Sequence, residues 1–144
     1  EEGGSFSISR DSAETDWESS SEKLYVPDSD KIRTLLNRLG KLSFSKLYIN
    51  DSVSQQAEGT DLIETTMFVS LFDSRVYTLN LRKNVASNEN YILSIRMGIS
   101  MVASDNSEAE DSKLREDMEI YNQQVNGRFY EISSWEGKEL LLSE

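Results

Sequence analysis

The chain has neither histidine nor cysteine, which removes the side chains that most often carry acid/base, metal and thiol chemistry. Without imidazole, no side chain has an unperturbed pKa near neutrality, and the commonest metal ligand is missing. Without a thiol there is no thiolate nucleophile, no zinc–sulfur or iron–sulfur site and no disulfide. Catalysis would fall to carboxylates, lysine, tyrosine or serine, each needing burial to tune it. These absences predict a non-enzymatic role with no cofactor and no bound metal.

Positive charge is also in short supply: 26 acidic residues against 15 basic ones leave a formal charge of −11 and a pI near 4.5. A nucleic-acid backbone or an anionic membrane surface would meet a field of its own sign, so neither is an expected partner. No apolar run approaches the roughly 20 residues that cross a bilayer. The start, Glu1-Glu2-Gly3-Gly4, carries no initiator methionine and no signal-type apolar segment. A trimmed chain is expected: a mature exported domain, a domain cut from a longer protein, or one with a short appended front. Membrane association would then come only through an anchor absent from this chain. The lack of cysteine selects no compartment.

What is present suffices for one core, since 37% of the residues are hydrophobic. Residues 1–21 form a polar, serine-rich N-terminal arm with Phe6, Ile8 and Trp17 as its large apolar anchors. Trp17 is expected to dock this arm, with an exposed partner contact as its alternative use. Residues 22–144 are read as a single domain. After the apolar Leu24-Tyr25-Val26 and Pro27, the capping chemistry of Asp28-Ser29-Asp30 precedes Ile32, Leu35, Leu36 and Leu39. Their i, i+3, i+4, i+7 spacing marks one helix face, and Gly40 would end it. A strand is expected through Leu42, Phe44, Leu47 and Ile49, then a loop from Asn50 to Thr60.

Three runs, Glu64 to Phe72, Arg75 to Arg82 and Tyr91 to Val102, alternate as strands and predict an antiparallel meander with one covered and one wetter face. The acidic stretch Asp105 to Asp111 opens a second helix, with Leu114, Met118, Tyr121 and Val125 on one stripe. Asn126-Gly127 should stop it. A final strand covers Arg128 to Ile132, followed by Trp135, Leu140, Leu141 and Leu142.

Candidate chemistry is sparse. Asp105, Glu108, Glu110 and Asp111 are the densest oxygen ligands but lack the alternating ligands and the glycine of a calcium loop, so they read as a solvated helix start. Glu131 and Glu136 could pair for glycosidase-type work only across a defined cleft. Glycines 59, 98, 127 and 137 stand singly, so no phosphate loop or nucleophile elbow forms. Lys41 and Lys46 around Phe44 make a poor nucleic-acid signal. Phe129, Tyr130 and Trp135 are the candidate partner surface, because aromatic side chains dominate interface energetics. Core packing is their alternative use.

The order of these signals resembles one family. Trp17, then Pro27-Asp28-Ser29-Asp30-Lys31-Ile32-Arg33-Thr34-Leu35-Leu36, then Asn126-Gly127-Arg128-Phe129-Tyr130-Glu131-Ile132, is similar to the bacterial domain of unknown function 4340 over most of the chain. That resemblance implies an extracytoplasmic, membrane-anchored setting beside gliding-motility-type ABC transporter components. It transfers no catalytic residue. The polar insert from Lys83 to Asn90 and the acidic helix start depart from the family pattern.

The expectation is therefore an α+β domain, a mainly antiparallel sheet with two helices packed on one face, in the order β, α, β, β, β, α, β. Its expected function is a non-enzymatic accessory or binding domain in the periplasm or cell envelope, with envelope or transporter proteins as partners. The alternative is a small, acidic cytoplasmic secretion chaperone that dimerises and wraps an unfolded client. A carboxylate-based hydrolase is a third, requiring a deep pocket with two convergent acids.

Overall fold

The computed structural model describes residues 7–19, 28–49, 64–84, 90–100 and 107–141. They belong to two compact units, 1–41 and 42–144. The domain boundary expected at 21/22, the apolar patch 24–26, the loop 50–60 and Asp105 lie outside the described residues.

In the first unit, β1 (Ile8–Ser9) pairs antiparallel with β2 (Glu18–Ser19). The Arg10 guanidinium lies 4.5 Å from the centre of the Trp17 ring, a cation–π contact that holds this half-buried indole against its own hairpin. Helix α1 (Ser29–Leu39) is capped by Asp28, whose carboxylate accepts from the backbone N–H of Asp30 at 3.0 Å and Lys31 at 3.2 Å. Ile32 and Leu35 are buried on its apolar stripe, while Leu36 lies at the exposed margin. Gly40 ends the helix in right-handed geometry (φ −73°), so this cap does not draw on glycine's left-handed freedom.

The second unit contains β3 (Lys46–Ile49), β4 (Glu64–Ser70), β5 (Arg75–Lys83), β6 (Tyr91–Ile99), α2 (Glu108–Val125), β7 (Arg128–Ile132) and α3 (Ser134–Leu140). Its sheet is antiparallel throughout, in the spatial order β3-β7-β6-β5-β4. The architecture is α+β with a mainly antiparallel sheet, and β4, β5 and β6 form the expected meander. The observed order adds β2 and α3; the four strands between α1 and α2 are the segment expected through Ile49 and the three alternating runs, one more than the order β, α, β, β, β, α, β allows. The last strand in the sequence does not extend the sheet at an edge. It enters between β3 and β6.

Alternation along the strands sets two faces. Leu79, Leu81, Leu93, Met97 and Ile132 are buried on one, and two helices lie over that face. Tyr121 of α2 meets Tyr77 edge-on at 5.5 Å, and Gly137 of α3 lies against the Tyr91 ring. Leu114 and Leu140 complete the core from the helices. The capping box Ser107/Glu110 starts α2, its two hydrogen bonds at 2.8 and 3.3 Å. Gly127, at φ 67°, turns the chain out of α2 as the Asn126-Gly127 pair predicts.

Helix α3 replaces the trailing apolar tail. Ser133 accepts from the backbone N–H of Glu136 at 3.2 Å and donates to its carboxylate at 3.1 Å, and this cap turns Trp135 to Leu140 into a helix that buries Leu140. Gly137 is required here for space. A Cβ at this position would collide with the root of the Tyr91 ring, so Gly137→Ala should lower unfolding free energy by about 1–3 kcal/mol despite alanine's better helix propensity. Urea denaturation checks this; an unchanged or higher midpoint would refute the close packing.

Candidate functional site

The most unusual side chain in the sheet is Glu131, a carboxylate only 4% exposed near the end of β7. It projects from the face opposite the helices, with Tyr48 of β3, Asn84 just past β5 and Asn90 just before β6. The Tyr48 hydroxyl donates to Glu131 Oε2 at 2.6 Å, Asn90 Nδ2 to Oε1 at 2.8 Å and Asn84 Nδ2 to Oε2 at 3.5 Å. Asn90 Oδ1 in turn accepts from the backbone N–H of Ser134 at 3.2 Å, linking the network to the start of α3. Burying a carboxylate is costly unless donors replace its hydration.

The Tyr48 phenol is pushed above its ordinary pKa of about 10, first by its hydrogen bond to Glu131, then by desolvation and by the neighbouring negative charge. Ionising it would break the bond and put two anions side by side. Tyr121 is shifted the same way, mainly by burial. In chemical terms this arrangement suits holding β3, β5, β6 and β7 together.

Glu131 and Glu136 do not share a network. The Glu136 carboxylate instead accepts from Ser43 at 3.2 Å and Ser133 at 3.1 Å. Among the described residues no three acidic side chains are grouped to hold a metal ion. Glu108, Glu110 and Asp111 occupy the first turn of α2.

The three candidate aromatic residues do not form one surface. Phe129 and Tyr130, adjacent on β7, point to opposite faces. Both are half-buried, Phe129 beneath the Arg82 guanidinium at 5.6 Å and Tyr130 edge-on to Phe44 at 5.0 Å. Trp135, 53% exposed, sits on α3. Around Tyr130 the structure assembles other apolar residues instead. Leu47 is its register partner, Ile49 follows on the same face of β3, and Phe44, Leu47 and Ile49 are 56%, 41% and 64% exposed. The Ser43–Glu136 bond brings the start of α3 to the same end of the sheet. The far edge of β3 has no strand partner among the described residues.

A second feature is a fork in the sheet. The β6–β7 ladder ends at Leu93–Tyr130, while β6 continues along β5 to Ile99. Beyond the fork, the Asn122 side chain substitutes for the missing strand. Its Oδ1 accepts from the Met97 N–H at 2.8 Å, and its Nδ2 donates to the Met97 carbonyl at 2.9 Å. Between β6, the end of α2 and the start of β7 lies a cleft of about 550 Å³.

Tyr48, Asn84, Asn90 and Asn122 have no signal in the sequence, because singly placed polar residues acquire meaning only through register. The phenol shift has a measurable sign. The unfolded chain loses this proton near pH 10 while the folded chain retains it, so the stabilisation is complete below about pH 10 and is lost as pH rises through the elevated folded value. Tyr48→Phe should cost about 1 kcal/mol at neutral pH, less than is usual for a bond to a charged group because Tyr48 is half-exposed. The phenol it removes from the tyrosinate absorbance curve should be a late-titrating one; loss of a phenol that titrates in the ordinary range would contradict the contact.

Comparison of the chain with protein-family models, with curated proteins and with solved structures finds no match.

Proposed function

We propose that this chain is a non-enzymatic binding domain that takes a protein partner along the outer edge of β3. One observation carries the reading: β3, one of the two edge strands, presents Leu47 and Ile49, exposed and flanked by Phe44 and Tyr130, on the face shared with the helices. Sheet edges are ordinarily blunted by charge, proline or a covering segment. Here Lys46 is the one charged side chain in the strand. An extended segment of the partner would add to β3 through backbone hydrogen bonds and set apolar side chains against Leu47 and Ile49. Basic residues on that partner would complement the charge of −11.

The setting we propose is extracytoplasmic, as an accessory to envelope or transporter components. It rests on the resemblance to the bacterial domain of unknown function 4340. The same apolar strip would also suit a cytoplasmic secretion chaperone, which differs in requiring a stable dimer and an unfolded client.

The test is a side-by-side affinity isolation from native membranes and from cytosol, using the wild type and Leu47→Lys/Ile49→Lys. Circular dichroism serves as the check on folding. The expected result is one stoichiometric envelope protein retained by the wild type and reduced about tenfold or more with the variant, roughly 1.4 kcal/mol in binding. An equal yield with the variant would overturn the β3 edge. A dimer holding one exported client from the cytosol would replace the accessory reading with the chaperone.

A further inference from the structure

The fork between β6 and β7 leaves a local charge pattern opposite to that of the chain. Arg96 and Arg128 line the cleft, with Glu119 as the one acidic lining residue among the described residues. Both arginines are exposed, and neither has an ion-pair partner among the described residues. Strand parity puts Arg96 on the face of Phe129 and Arg128 on the opposite one, so the two lie on either side of the opening where the ladder ends. The side-chain amides of Gln123 and Asn126 line the same space and hold no hydrogen bond among the described residues. Arg82 borders an adjoining cavity of about 50 Å³ that shares Phe129 with the cleft.

We propose that this cleft binds a small molecule bearing a carboxylate or phosphate group. Guanidinium groups present a planar fork of N–H donors that matches either oxyanion, and two of them without an ion-pair partner among the described residues retain that capacity for a ligand. The amides of Gln123 and Asn126 supply neutral donors and acceptors for the remainder of the molecule, and the Phe129 ring supplies an apolar wall. A volume of about 550 Å³ suits a metabolite-sized ligand. Two features oppose an anion here: Glu119, and the carbonyl end of α2, equivalent to roughly half a negative charge. Against them stand the two lining guanidiniums. At 0.1 M salt, screening over about 10 Å limits the repulsion from the more distant acidic surface.

The experiment is a two-dimensional amide NMR titration of the full chain with sodium phosphate and, separately, sodium succinate, at constant ionic strength. Saturable shifts are expected at the amides of Ser94, Arg96, Gly127 and Arg128, with a midpoint on the order of 1 mM. In Arg96→Gln/Arg128→Gln the midpoint should rise about tenfold or more. Arg115→Gln, which removes the same charge from α2 outside the cleft, should leave it unchanged.

Saturation by phosphate alone would assign a phosphoryl ligand, by succinate alone a carboxylate ligand, and by both the shared oxyanion chemistry. Non-saturable shifts with both probes, wild-type binding in the double variant, or equal weakening by Arg115→Gln would overturn the proposal. Dispersed spectra of each variant establish that the fold is intact.

Discussion

The burial of one carboxylate constrains the main sheet. Glu131 is enclosed at the point where β7 lies between β3 and β6, and its oxygens are met by a phenol from β3 and by two amides at the β5–β6 connection. In a site so poor in solvent the charge is tolerable only with its donors in place, and those donors come from two separate parts of the chain, β3 and the β5–β6 connection. The network therefore favours one register. A shift of β7 by one residue would turn Glu131 toward the helix-bearing core and Ile132, 1% exposed, away from it. Either displacement is costly, so the polar and apolar requirements of this five-residue strand enforce the same answer.

The rest of the second unit follows from that register. β7 arrives from α2 through the left-handed turn at Gly127 and becomes fixed to β6 from Tyr130 onward. Between these points it cannot follow β6, and the sheet forks. Asn122 satisfies the backbone edge at Met97 that β7 leaves unpaired with a side-chain amide, which lets α2 close the core without a continuous ladder. After Ile132, Ser133 caps α3, and the small Gly137 allows that helix to approach Tyr91. Both surfaces proposed for binding are by-products of this geometry: the apolar strip on β3, left outermost by the insertion of β7, and the cleft inside the fork.

Periodicity made much of this legible. The meander was visible in the alternation of Tyr77, Leu79, Leu81 with Leu93, Ile95 and Met97, because period-two patterning maps directly onto faces. Both long helices were marked by their stripes and caps, Asp28 and the acidic turn before Leu114 among them. Helix α3 was missed although Ser133 and Glu136 stand at capping-box spacing, since its short apolar run resembled a tail. The grouping of Phe129 with Tyr130 ignored strand parity, which separates neighbours onto opposite faces. The Glu131 network and the fork were not legible at all. They depend on which strands become neighbours across 41 to 83 residues, and the insertion of the last strand into the sheet interior leaves no local trace.

The most direct test of this account is the stability of Glu131→Ala by equilibrium urea denaturation, with amide hydrogen exchange followed along β7. Removing the carboxylate strands the buried amide donors and leaves a void, so the account predicts a loss of about 3 kcal/mol or more, with protection falling first from Arg128 to Ile132. A loss below about 0.5 kcal/mol, within the range of ordinary surface substitutions, would show that Glu131 does not hold the sheet together.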